Sequence, residues 1–230
     1  MRGLRAVTIV LPAVSLLLAG CGVERLIGGM AQNYEYQKII EVHPRYADLE
    51  GKTVAVLVDV DMGTLYDHPE VMLTIANNVS REIQLGVPGV RVAAPNYVSE
   101  WQFRTPMWSA MPYGEIAESL GVDRVVHIDL YEYRLHPAGN RWLWEGVCAA
   151  NVGIIERNGL DPDSYADVFS IESTYPPLKG VGRDSATAEL IQTGLLALFI
   201  EKTGWLFYAH FEPKYPDKFK GELPEYEAET

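Results

Sequence analysis

Residues 54–58 read VAVLV, five apolar side chains in a row, three of them valine. Successive side chains of a strand point to opposite faces, so a strand of this composition needs cover on both sides. That requirement selects an α/β fold, with helices laid against a sheet, and the following residues supply the helices. Asp67 or His68 can cap a helix with Pro69 in its first turn, and Met72, Ile75, Ala76, Val79 and Ile83 recur at spacings of three and four before Gly86 ends it. GVRVAAP gives a short second strand and RTPMWSAMP a loop. Tyr113, Ile116, Ala117 and Leu120 then share one face of a second helix with Gly121 as its stop. DRVVHIDLYEYRL is a long strand, WLWEGVCAANVGIIE its antiparallel partner across the turn HPAGN, and SYADVFSIEST a third. Asp184 caps a long helix with Ala188, Ile191, Leu195 and Leu198 facing inward, and the chain leaves the domain near Phe207. The expected fold is a single α/β domain of two or three layers around a mixed sheet, in the order βαβα, three strands and a C-terminal helix.

The opening residues must be set aside first in any count of the folded chain. Arg2 and Arg5 precede an uncharged apolar stretch over residues 6–19, interrupted by Pro12. A membrane-spanning helix needs roughly 20 apolar residues, so this is a secretory signal. It ends in LAGC, residues 18–21, which resembles the lipobox of bacterial lipoproteins, where cleavage precedes the cysteine and the thiol is acylated. The resemblance implies a lipid (palmitate-type acyl chains) on Cys21 and a protein anchored to a membrane without spanning it. Gly22 follows the cysteine in place of an aspartate, the default for export to the outer membrane, which points to its periplasmic face. The boundaries expected are a signal peptide at 1–20, a lipidated tether at 21–48, the α/β domain at 49–208 and a flexible tail at 209–230. Loss of Arg2 and Arg5 takes no acid with it and moves the formal charge from −12 to −14. Such a surface repels nucleic acid and favours cation-bearing partners. With Cys21 acylated, Cys148 is the remaining thiol, so no intramolecular disulfide forms.

YGEIAESLGVDRVVHIDLYEY, a small helix ending in Gly-Val-Asp and feeding a strand, is similar to a segment of several bacterial envelope proteins. These are curli-secretion lipoproteins, penicillin-binding-protein activator lipoproteins and the amino-terminal domain of TolB. They share a first strand like KTVAVLVDV and a helix preceding a short GVRV strand, and the likeness covers residues 52–156. DVDMGTLYDHP departs from the group after the first strand, and the long alternating hairpins of pore-forming members are absent from the sequence. The resemblance implies an assembly or regulatory module rather than a channel.

Asp59 and Asp61 resemble the Asp-x-Asp-Gly-Thr strand end of haloacid-dehalogenase phosphatases. There one carboxylate attacks phosphorus, the second protonates the leaving oxygen and Mg²⁺ neutralises the charge between them. Here Met62 is inserted before Gly63 and displaces Thr64. VRVAAP lacks the hydroxyl expected at the next strand end, and KGVGRDS offers Lys179 and Asp184 without a second acid. The competing reading makes Asp59 and Asp61 turn formers or salt-bridge partners. A further alternative keeps the acids as a Ca²⁺ or Mg²⁺ site, because Asp59 and Asp61 share one face by period two, as do His127 and Asp129 on the expected neighbouring strand.

The remaining candidates divide between packing and recognition. Cys148 lies in an apolar run and reads as a buried thiol, and His43, His68, His136 and His210 show no metal-ligand spacing. Tyr97, Trp101, Phe103 and Trp108 fall together in a region without a clear period, and they read either as core or as a partner-binding surface. The tail carries Pro213, Pro216 and Pro224 with alternating charge, a composition that buries little apolar surface. The function expected is a non-enzymatic cell-envelope lipoprotein, a protein-binding module in envelope assembly or secretion, with no cofactor. The alternatives are a metal-dependent phosphatase using Asp59 and Asp61 and a purely structural lipoprotein.

Overall fold

The computed structural model describes residues 38–215 apart from residue 162. Cys21, the signal and most of the tether therefore lie outside the described residues, as does the tail beyond residue 215. In chain order the elements are β1 (Ile39–Val42), β2 (Thr53–Val60), α1 (Met62–Asp67), α2 (Val71–Gly86), β3 (Arg91–Val92), α3 (Pro95–Arg104), α4 (Tyr113–Leu120), β4 (Arg124–Arg134), β5 (Gly146–Glu156), β6 (Asp167–Tyr175), α5 (Ala188–Gly204) and β7 (His210–Pro213). Two compact units divide them. In one, β1 and β7 pair antiparallel from Ile39 opposite Pro213 to Val42 opposite His210. The other, His43–Ala209, holds everything else.

The larger unit is an α/β fold around a five-stranded mixed sheet in the order β3-β2-β4-β5-β6. Strand β2 runs parallel to β3 and β4, and β5 and β6 add antiparallel. Parity along β2 divides the core as the apolar run demands. Val54, Val56, Val58 and Val60 join a large cluster with Ile75 and Val79 of α2 and with Ile191, Leu195 and Phe199 of α5. Ala55 and Leu57 join a smaller cluster with Val98 of α3 and with Ile116 and Leu120 of α4. Helices thus cover both faces, and the layers number three.

Several helix boundaries differ from expectation. Helix α2 begins after Glu70 rather than at Asp67 or His68, because 62–67 form the short helix α1. Helix α5 is capped by Thr187, whose side chain accepts from the Leu190 amide, while Asp184 sits in a preceding 3₁₀ turn. On α5, Ile191 and Leu195 are buried as expected, Leu198 is half-buried and Ala188 is exposed. Leu196, Phe199 and Ile200 complete its inner face. The segment 95–104, without a legible period, is helix α3 with Pro95 at its start. Gly121 ends α4 at a φ of 70°, the left-handed cap that glycine permits.

Connections from β2 to β3 and from β3 to β4 leave in opposite senses. The first passes through α2 on the large-core face, the second through α3 and α4 on the other. Strand order therefore reverses beside β2, and the carboxyl ends of β2 and β4 form the crevice where open α/β sheets take ligands. At the amino ends, buried Arg124 is satisfied by Tyr46, Asp48 and Glu156. That end is a closed structural network.

Candidate functional site

Register places Asp59 of β2 directly beside Asp129 of β4, on the face that carries Ala55 and Leu57 lower down. One step below Asp129 on that face is His127, only 8% exposed. Its Nδ1 lies 2.6 Å from the Tyr165 hydroxyl, and Trp108 packs its edge against the imidazole at 5.7 Å between centroids. Tyr165 arrives from the loop before β6, where the Ala166 amide donates to the Ile154 carbonyl at 2.7 Å. Gly153, the register partner of His127 on β5, admits the tyrosine: a Cβ there would sit 2.4 Å from the Tyr165 ring. Tyr113 of α4 stacks on that ring at 4.3 Å between centroids.

Burial pushes the His127 imidazole below its ordinary value, with the Asp59 and Asp129 carboxylates pulling the other way. Its Nε2 is buried and has no hydrogen-bond partner among the described residues. Burial, followed by hydrogen bonding to Tyr113, raises the Tyr165 phenol. The nest is therefore a neutral imidazole clamped by a protonated tyrosine beneath two adjacent carboxylates. It presents negative charge over an aromatic floor, an arrangement that attracts cationic groups.

Asp61 does not join this group. Strand β2 ends at Val60, and Asp61 caps α1, accepting from the Gly63 amide at 2.8 Å, the Thr64 amide at 3.1 Å and the Thr64 hydroxyl at 2.6 Å. These bonds, the Thr64 hydroxyl first, hold its carboxyl below the usual range. The shared face expected of Asp59 and Asp61 fails because a cap residue turns its side chain back onto its own helix. Asp61 instead lines a cleft with Tyr133, on the other side of the sheet end. Asp59, His127 and Asp129 share a face, yet no group of three or more His, Cys, Asp or Glu among the described residues is arranged to hold a metal ion. Cys148 lies in the large core, on the opposite face of β5, where burial pushes its thiol up.

The four aromatic candidates separate. Trp101 and Trp108 pack on the smaller core, whereas Tyr97 is 47% and Phe103 88% exposed. Met107, in the turn after α3, is 70% exposed and was not singled out by the sequence. Gln102 donates to the Val58 carbonyl at 3.0 Å and holds α3 over the end of β2. Tyr165 is not among the sequence candidates, and Tyr113 is read there only as part of the inward face of its helix, where it does pack. The signal for Tyr165 is Gly153, an isolated glycine inside a strand, which marks a close approach.

No protein-family model and no curated protein matches the sequence. Among solved structures, a PelC dodecamer from Paraburkholderia phytofirmans is 13% identical, covering 74% of this chain and 97% of its own at a TM-score of 0.39. Lipoprotein GNA1162 from Neisseria meningitidis is 14% identical, with 65% and 96% covered and a TM-score of 0.41. Lipoprotein B from Nitrosomonas europaea is 10% identical, with 71% and 84% covered and a TM-score of 0.34. None of these three is a curli-secretion lipoprotein, a penicillin-binding-protein activator or TolB. The likeness is one of backbone arrangement, and no site or partner is carried over from it.

Proposed function

We propose that this chain is a non-enzymatic cell-envelope lipoprotein, anchored through Cys21 at the periplasmic face of the outer membrane, that binds a protein partner in envelope assembly or secretion. The observation that carries the binding role is the exposure of Tyr97, Phe103 and Met107 on α3 and the turn after it, beside the carboxyl end of β2. Large apolar side chains left in water at a topological switch point mark an interaction surface. The neighbouring Asp59 and Asp129 give that surface a negative rim, which favours a partner combining apolar anchors with Lys or Arg. The LAGC leader supports the anchor, and no helix among the described residues is long and apolar enough to cross a membrane.

Affinity capture from detergent-solubilised envelopes, with the full chain and a Phe103→Ser/Met107→Ser variant, tests this reading. Both side chains are exposed, so the variant keeps the wild-type melting temperature. The expected result is a stoichiometric protein held by the wild type and lost by the variant. Equal capture by both would overturn the assignment of this surface.

A further inference from the structure

On the opposite side of the sheet end, a cleft of about 540 Å³ opens between α1, the end of β4 and the 3₁₀ turn before α5. Its lining includes Arg134, Arg141, Arg183, His68 and His136, a concentration of basic groups on a chain whose formal charge is −12. Arg134 is spent on Glu132, Glu145 and the His136 carbonyl. The side chains of Arg141 and Arg183 have no hydrogen bond or ion pair among the described residues.

Both free arginines stand on one clasp. The Arg183 amide donates to the Trp142 carbonyl at 2.9 Å and the Trp144 amide to the Val181 carbonyl at 2.9 Å. Leu143 bridges Gly182, and Trp144 Nε1 donates to the Ala186 carbonyl at 3.0 Å. These bonds hold the connection bearing Arg141 against the turn bearing Arg183. His136 is fixed by its Nδ1 on the Leu143 carbonyl at 2.8 Å and by stacking on Trp144 at 4.5 Å.

Tyr133 lines the same cleft from the sheet. A β-bulge between Leu130 and Glu132 shifts the parity of β4 and brings Tyr133 into the large-core side, where it lines the cleft. The residue is 8% exposed, and its hydroxyl is buried without a hydrogen-bond partner. Burial raises the phenol, so it remains a donor. Two acids also line the cleft; Asp61 has its oxygens occupied by Gly63 and Thr64, and Asp67 lies at the exposed end of α1.

From this arrangement we infer that the cleft is a binding site for a phosphate monoester, taken between the Arg141 and Arg183 guanidinia with Tyr133 as a neutral donor. Guanidinium forks match phosphate oxygens in geometry and charge, and a third donor from the sheet side suits a tetrahedral group better than a flat carboxylate. The phosphate belongs either to a small soluble ester or to a lipid headgroup, which present the same chemistry.

The test uses the full chain in neutral detergent, titrated with inorganic phosphate and, as a control at equal ionic strength, acetate. Phosphate is expected to bind in calorimetry and to raise the melting temperature, acetate to do neither. Arg141→Gln/Arg183→Gln should weaken phosphate binding at least tenfold. Tyr133→Phe separates a ligand donor from a mere packing defect: as a donor it is expected to lower phosphate affinity while leaving the unliganded protein as stable as wild type or more so. Vesicles containing phosphatidic acid distinguish the source. Their preferential binding over phosphatidylcholine vesicles, lost in the double arginine variant, assigns a headgroup, and phosphate binding without it assigns a soluble ester. No phosphate-specific binding, or binding equal in the double variant, would overturn the proposal, as would Tyr133→Phe with unchanged affinity for the Tyr133 role. These outcomes are independent of partner capture at α3.

Discussion

His127 has one ring nitrogen on the Tyr165 hydroxyl and the other buried without a partner. Tyr165→Phe would leave both nitrogens without a protein partner at the cost of one oxygen, so a loss of roughly 1 to 3 kcal/mol is expected in urea unfolding. Loss of the same size in a His127→Phe/Tyr165→Phe double variant would show instead that the hydroxyl acts through packing. The imidazole also couples the fold to pH. Its folded value lies below the unfolded one of about 6.5, so the unfolded chain takes up the proton first. The contribution of His127 is fully present above about pH 6.5 and declines as the pH falls toward the folded value. Unfolding free energies measured from pH 7.5 downward should therefore drop more steeply for the wild type than for His127→Gln.

At the scale of elements, β5 carries the most specific constraint, because Gly153 leaves room for a ring that belongs to another segment. Gly153→Ala puts a Cβ into the Tyr165 ring and is expected to cost about 1 to 3 kcal/mol, read as a lower melting temperature with a changed near-ultraviolet tyrosine signal. An unchanged melt would mean that the loop before β6 gives way freely. The same strand shows why some of this molecule is legible in its sequence. Strand β2 holds an unbroken apolar run, β4 and β5 are long and rich in valine and isoleucine, and α2 and α4 repeat at helical spacing, so the sequence pattern specifies them. Helix α3 hides, since Val98 and Trp101 are its inward apolar residues among polar or outward-facing neighbours. Asp59, His127 and Asp129 were readable as one face because a strand has period two. Tyr165 was not, since a contact 38 residues from His127 depends on how a loop returns. Asp61 and Tyr133 defeat parity for local reasons, a helix cap in one and a bulge in the other. Helix starts moved by a few residues for a similar reason: several side chains near each start could cap, and backbone geometry selects among them.

For the whole molecule, the large core and the membrane anchor can be followed through the two cysteines. With Cys21→Ser the protein is expected in the soluble fraction, while retention in the pellet after a high-salt wash would refute lipid anchoring. The same variant leaves Cys148 as its only thiol, fully buried in the larger core. Maleimide labelling should then be negligible in native buffer and should rise along the urea unfolding curve, reporting global opening; labelling ahead of unfolding would reveal a local opening of β5. The small unit sets a different property. Ile39 faces Pro213, and the Lys214 amide donates to the Lys38 carbonyl at 2.8 Å, so the incoming and outgoing chain meet at the same end of an antiparallel pair. A pull applied between the two ends of this pair loads its bonds one after another from that end, as a zipper is drawn, rather than all together in shear. Opening it lengthens the span between those ends by a few residues without breaking any strand of the five-stranded sheet.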